Sequence, residues 1–174
     1  MTPTLFDIFS HTPSWVWGLL AALVVLGLLQ ARTHDVSPVR LWLQPTAIGV
    51  LSIWGVLHAF GAASGAIPVA GWALGYGLGF AANRALGLPR HARPNASGGF
   101  RVEGSLAPLA LLAGVFAVRY TVGVALAIVP ALAGASVFAF AASLAFGFPS
   151  GLLLARSLRI HATRLLVGDD LRAA

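Results

Sequence analysis

Ten of the eleven arginines in this 174-residue chain lie in two connectors and the C-terminal tail, and the eleventh, Arg119, stands inside an apolar run. No other feature constrains the fold as much. Basic residues that flank apolar segments on alternate connectors mark a chain threaded repeatedly through a bilayer, with its arginines on the cytoplasmic side. Composition agrees, at 58% hydrophobic and 9% charged, against about 25% charged for a soluble domain. So few charges cannot cover a water-facing surface, so the bilayer is the expected solvent. Arginine supplies all of the positive side of the +6 net charge. Because these arginines flank apolar runs instead of forming one basic face, topology explains them and a nucleic-acid partner is not expected. Cysteine is absent, which excludes disulfides, thiolate metal sites and cysteine nucleophiles.

Counted in spans of about 20 residues, the chain divides into five apolar runs: 14–30, 41–61, 62–82, 106–129 and 131–155. The leader MTPTLFDIFSHTP contains Asp7 and no arginine or lysine, so the first run reads as a retained helix and not a cleaved signal. Trp15 and Trp17 are expected at headgroup level. Connector one carries Arg32 and Arg40, connector three carries Arg84, Arg90, Arg93 and Arg101, and the tail carries Arg156, Arg159, Arg164 and Arg172. The connectors near residues 61–66 and Pro130 carry no charge. The expectation is an all-α integral membrane bundle of about five transmembrane helices forming a single domain, N-terminus outside and C-terminus cytoplasmic. Within connector three, GGFRVEG is compatible with a short hairpin or an interfacial segment. The segment after Pro149 is expected to extend the fifth helix or turn along the membrane surface.

Helices in lipid gain little from hydrophobic contact, so small residues that let backbones approach matter most. Gly71, Gly75 and Gly79 recur every fourth residue in the third run, and Ala135, Ala139, Ser143, Gly147 and Gly151 form a similar stripe in the fifth. The first run offers Gly18 and Ala22, and the second Gly55 and Ala59. An intramolecular bundle is the plainest use of these faces; a homodimer or a membrane-protein partner is the other. GYGLG lies within an apolar span and follows no strand, so it is not a phosphate loop.

Arg119 is the main candidate site residue. An arginine at a helix centre costs roughly 2.5–3.5 kcal/mol on insertion scales, and no Asp or Glu falls in any apolar run. Its side chain can snorkel, can be satisfied by carbonyls and hydroxyls, or can hold an anion. Ser52 and Ser143 fall at a similar depth, with Tyr120 and Thr121 adjacent in sequence. His58, with Trp54 one turn earlier, is the second candidate; lacking partner ligands, it reads as structural. No metal and no cofactor are expected. Neither a paired acid–base set nor a nucleophile elbow is present, so an enzyme is less expected than a binding or assembly protein.

Three stretches carry a resemblance: SHTPSWVWGLLAALVVLGLLQ, VSPVRLWLQPTAIGVLSIWGVLHAFG and LALLAGVFAVRYTVGVALAIVPAL. They resemble small multi-pass inner-membrane proteins of proteobacteria classed as a domain of unknown function. The resemblance implies a bacterial inner membrane, with a basic residue at Arg119 followed by an aromatic at Tyr120, and supplies no activity. Two readings follow. One is a small transporter, or an anion- or lipid-binding component, centred on Arg119. The other is a structural or assembly subunit that docks a membrane protein through its small-residue faces.

Overall fold

The computed structural model describes residues 14–30, 34–87, 92–94, 100–102 and 106–173. Among these residues five helices carry the fold: α1 (Ser14–Gln30), α2 (Pro38–Ser64), α3 (Ile67–Leu86), α4 (Ala107–Ile128) and α5 (Ser136–Ala173). Proline and glycine set their limits. Pro38 opens α2 behind Ser37, whose Oγ accepts from the Arg40 N–H at 3.3 Å, the usual N-cap arrangement. α3 ends at Gly87, whose φ of 67° is the left-handed conformation that glycine tolerates best, with its N–H bonded to the Asn83 carbonyl at 2.9 Å. Pro130 starts a 3-10 turn, Pro130–Gly134, between α4 and α5.

Three of the helical segments are long and apolar enough to cross a membrane: Pro38–Gly61, Leu109–Ile128 and Ser136–Ala162. The apolar part of α1, Val16–Leu29, is shorter. α3 is not among them; its glycines, together with Asn83 and Arg84, dilute its apolar character. Instead of turning along a surface after Pro149, α5 runs unbroken to Ala173.

α3 and α5 form the centre. They lie parallel, and their backbones touch at each turn. A Cβ at Gly71, Gly75 or Gly79 would run into the carbonyls of Phe140, Leu144 and Phe148 respectively. Reciprocally, a Cβ at Gly147 or Gly151 would meet the carbonyls of Trp72 and Tyr76. The two stripes therefore occupy each other, and Ala139 is fully buried above them. α2 packs on the α5 side of this pair. Val56 and Phe60 of α2, Val122 of α4 and Ala139 and Ala142 of α5 close the core. α4 joins it through Val118, Val122 and Leu126, and α1 packs on α4. On α1 it is Gly27 that lies close against Leu109, whereas a Cβ at Gly18 would meet nothing within 4 Å among the described residues.

The arginine-bearing connectors meet in a small sheet. β1 (His34–Val36) and β2 (Ala92–Pro94) flank β3 (Phe100–Val102), both antiparallel to it. Phe100, Arg101 and Val102 are the three central residues of GGFRVEG, and they pair both with their own connector and with connector one. Opposite Phe100 stand Val36 and Pro94. Phe100, Leu41 and Ile160 form a second buried cluster beneath the sheet. Connector one, connector three and the distal part of α5 are thereby held at one end of the bundle.

A substitution pair tests the central contact. Gly75→Ala is expected to lose about 1–3 kcal/mol through overpacking against the Leu144 backbone, while Gly77→Ala, with nothing within 4 Å of its Cβ, stays neutral or gains slightly. Denaturant or thermal unfolding in mild detergent reads both.

Candidate functional site

Arg119 lies near the midpoint of α4 and crosses to α2. Its Nη2 donates to the Leu51 carbonyl at 2.7 Å, and its guanidinium carbon sits 5.5 Å from the Phe146 ring centroid of α5. Gly55 makes the crossing possible. A Cβ there would come within 3.2 Å of Nη2 and 3.3 Å of Nη1, so the guanidinium rests on the bare α2 backbone one turn from the carbonyl it binds. Guanidinium has five N–H donors, and among the described residues this is its one hydrogen bond. Arg119 is exposed at the bundle surface, beside Leu51, which is 55% exposed. The arrangement fixes a cation at mid-helix depth and leaves most of its donor capacity unused among the described residues.

The four companion residues are differently placed. Ser52 is buried on the other face of α2. Its Oγ donates to the Gly49 carbonyl at 2.9 Å, accepts from Trp72 Nε1 at 2.9 Å, and lies 3.0 Å from Ser150 Oγ. This hydroxyl therefore links α2, α3 and α5 and is not bonded to Arg119. Ser143 is fully buried, and its Oγ has no hydrogen-bond partner. Tyr120 stacks on Phe116 at 6.0 Å and is half-buried. Thr121 is exposed on α4. Only Arg119 of the five stands at the α2–α4–α5 junction with its charged group engaged.

Three participants escaped the sequence reading. The Leu51 acceptor is a backbone carbonyl, which no side-chain pattern reveals. Phe146 and Ser150 are hidden among the apolar residues of the fifth run; Ser150 carries a weak signal, a hydroxyl beside Gly151 of the small-residue stripe.

His58 is exposed on α2 with Trp54 at 5.5 Å between ring centroids, and no group of three metal-ligating side chains occurs among the described residues. His11 and His91 lie outside the described residues. At the arginine-rich end, Ser157 Oγ donates to the Leu41 carbonyl at 2.8 Å. His161 meets Trp42 and Phe100 edge-on at 5.7 and 6.5 Å, and the Arg159 guanidinium covers Gly87 at the C-terminal end of α3. A cation there complements the helix dipole.

A family model described as a family of unknown function (DUF6622) matches residues 2–169. The chain belongs to that family. A search of curated proteins found no match, and a search of solved structures likewise found none. Membership agrees with the resemblance to a domain of unknown function and carries no activity with it.

Ser52→Ala removes the acceptor for Trp72 Nε1 and the partner of Ser150 together. The expected cost is about 1 kcal/mol, within the range measured for hydrogen bonds between membrane helices, with a shift in Trp72 fluorescence as the indole N–H loses its bond. An unchanged unfolding midpoint in detergent would contradict this assignment.

Proposed function

We propose that this protein is an integral protein of the bacterial inner membrane that crosses the bilayer five times, N-terminus outside, and holds an anionic group at Arg119. Such a site belongs to a small transporter or to an anion- or lipid-binding component. One observation carries the reading: among the described residues the guanidinium is tied to α2 by a single bond at mid-helix depth, and the residue remains exposed. Guanidinium pairs well with carboxylate and phosphate, and no acidic residue of this chain lies in an apolar run.

Two features support the topology. Two helices separate β1 from β3, and these strands are hydrogen-bonded, so connectors one and three lie on one side, as two crossings require. Two further helices return the chain to that same end, where Ile160 meets Leu41 and Phe100. Arg93 and Arg101 lie on the strands at this end and Arg156 and Arg159 flank it on α5, which supports reading this end as cytoplasmic.

The assembly-subunit reading loses its original docking surface, since Gly71, Gly75 and Gly79 are covered by α5 within one chain. A partner would need a different face.

Both halves of the proposal can be measured. Because the chain lacks cysteine, single cysteines report topology cleanly. Ala66→Cys should react with an impermeant thiol reagent in intact cells, and Leu86→Cys only after permeabilisation; the reverse pattern would overturn the orientation. For the site, purified wild type should gain stability in the presence of carboxylates, phosphate or anionic lipid, about 2.7 kcal/mol at a hundredfold excess over Kd, read as a raised melting temperature. Arg119→Gln should fold and show no such shift.

A further inference from the structure

The position of Arg119 points beyond an anion of unspecified origin. We propose that its counter-ion is a carboxylate carried at mid-bilayer depth by a transmembrane helix of another protein, which docks against the face formed by α2 and α4 around Leu51 and Arg119. The inference rests on the anion-site reading above and names the source of the anion.

Three observations select this occupant. The first is depth. Arg119 is near the middle of the 22-residue α4, and its acceptor Leu51 is near the middle of the 27-residue α2. Lipid headgroups lie about 15 Å from the bilayer centre, half of a hydrocarbon core of about 30 Å. A headgroup reaching this guanidinium would have to sink most of that distance, whereas an acidic side chain on a spanning helix reaches it without leaving its own helix. The second is exposure. Arg119 is exposed, and Leu51, whose carbonyl it binds, is 55% exposed with Trp54 of the same helix at 62%, so the approach is lateral, from the membrane, over apolar side chains of α2. The third is charge. An unpaired carboxylate at mid-bilayer costs about as much as an unpaired arginine, and pairing relieves both. The chain's own acids, Asp7, Asp35, Glu103, Asp169 and Asp170, all fall outside the apolar runs. A second copy of this chain therefore cannot supply the carboxylate at this depth, and the partner is a different protein.

Arg119 also keeps what such a pair requires. Its bond to Leu51 fixes the guanidinium at the surface, and Gly55 keeps the α2 side flat beneath it. The remaining N–H donors can then meet a carboxylate in a two-pronged fork.

A photo-crosslinking residue placed at Leu51 in the full chain, expressed in its native membrane, tests the proposal. The expected result is an adduct with a protein whose crosslinked segment is a spanning helix carrying Asp or Glu. The adduct should fall about tenfold or more in Arg119→Gln, the scale of a desolvated charge pair. It should fall equally when the partner's acid is changed to its amide, a variant that leaves this chain's folding untouched. Adducts with lipid or with this chain alone would overturn the proposal. So would a partner helix without an acid, or an adduct that survives amidation of that acid. A lipid adduct together with an Arg119-dependent anion shift in the purified protein would leave the anion site standing and remove only the partner helix. No adduct and no shift would remove both.

Discussion

Backbone contact between α3 and α5 is the interaction on which the rest of the molecule depends. In lipid the drive to associate comes from dispersion and hydrogen bonding between close-packed backbones, and five glycines, Gly71, Gly75, Gly79, Gly147 and Gly151, remove the side chains that would hold these two helices apart. Each turn of one helix rests on a carbonyl of the other. Because the contact is parallel and repeats every four residues, it sets the depth of every residue on α5. That in turn places Ser150 where Ser52 of α2 and the indole of Trp72 can meet it. α2 is thus fastened to the pair by polar contacts on its inner face, and α4 and α1 are added outside.

The outer face of α2 is where the energetic conflict lies. Inserting an arginine at mid-helix costs roughly 2.5–3.5 kcal/mol. A hydrogen bond from a charged group returns about 1.5–3 kcal/mol, and a ring face at 5.5 Å adds about 0.5–2 kcal/mol. These terms are of similar size. For a helix in lipid, the bond to Leu51 and the Phe146 ring would therefore offset the cost of insertion, yet they use only part of the guanidinium's donor capacity. An arginine kept only to join α4 to α2 would be better buried between them. Its exposure is the reason to read it as a site.

Much of the architecture was legible in the sequence because long apolar helical segments announce themselves by composition. Apolar length, proline and glycine at the ends, and arginines on alternate connectors led to the all-α helical bundle, and the fourfold spacing of Gly71, Gly75 and Gly79 identified the face that packs. Partner choice was not legible, since any small stripe can meet any other; Gly18 suggested a contact that Gly27 makes instead. The three-stranded sheet depends on pairing between segments far apart in the chain, and three-residue strands carry almost no periodic signal. At the site, Arg119 stood out because a charge in an apolar run is conspicuous. Its acceptor did not, because helix carbonyls are identical at every position. Ser52 drew attention by depth alone, and depth cannot say which side of a helix a hydroxyl faces.

The most direct test of this account is the environment of the Arg119 side chain in a bilayer. Solid-state NMR on protein labelled with nitrogen-15 in arginine and carbon-13 at the leucine carbonyls, reconstituted in lipid vesicles, measures the coupling between the Arg119 Nη atoms and the Leu51 carbonyl carbon. The account predicts a strong through-space contact consistent with the 2.7 Å hydrogen bond, lost when Leu51 is replaced by an unlabelled residue type. A guanidinium that shows no contact with Leu51 and instead couples to lipid phosphorus would mean that Arg119 snorkels to the interface, and the site at the α2–α4–α5 junction would not exist.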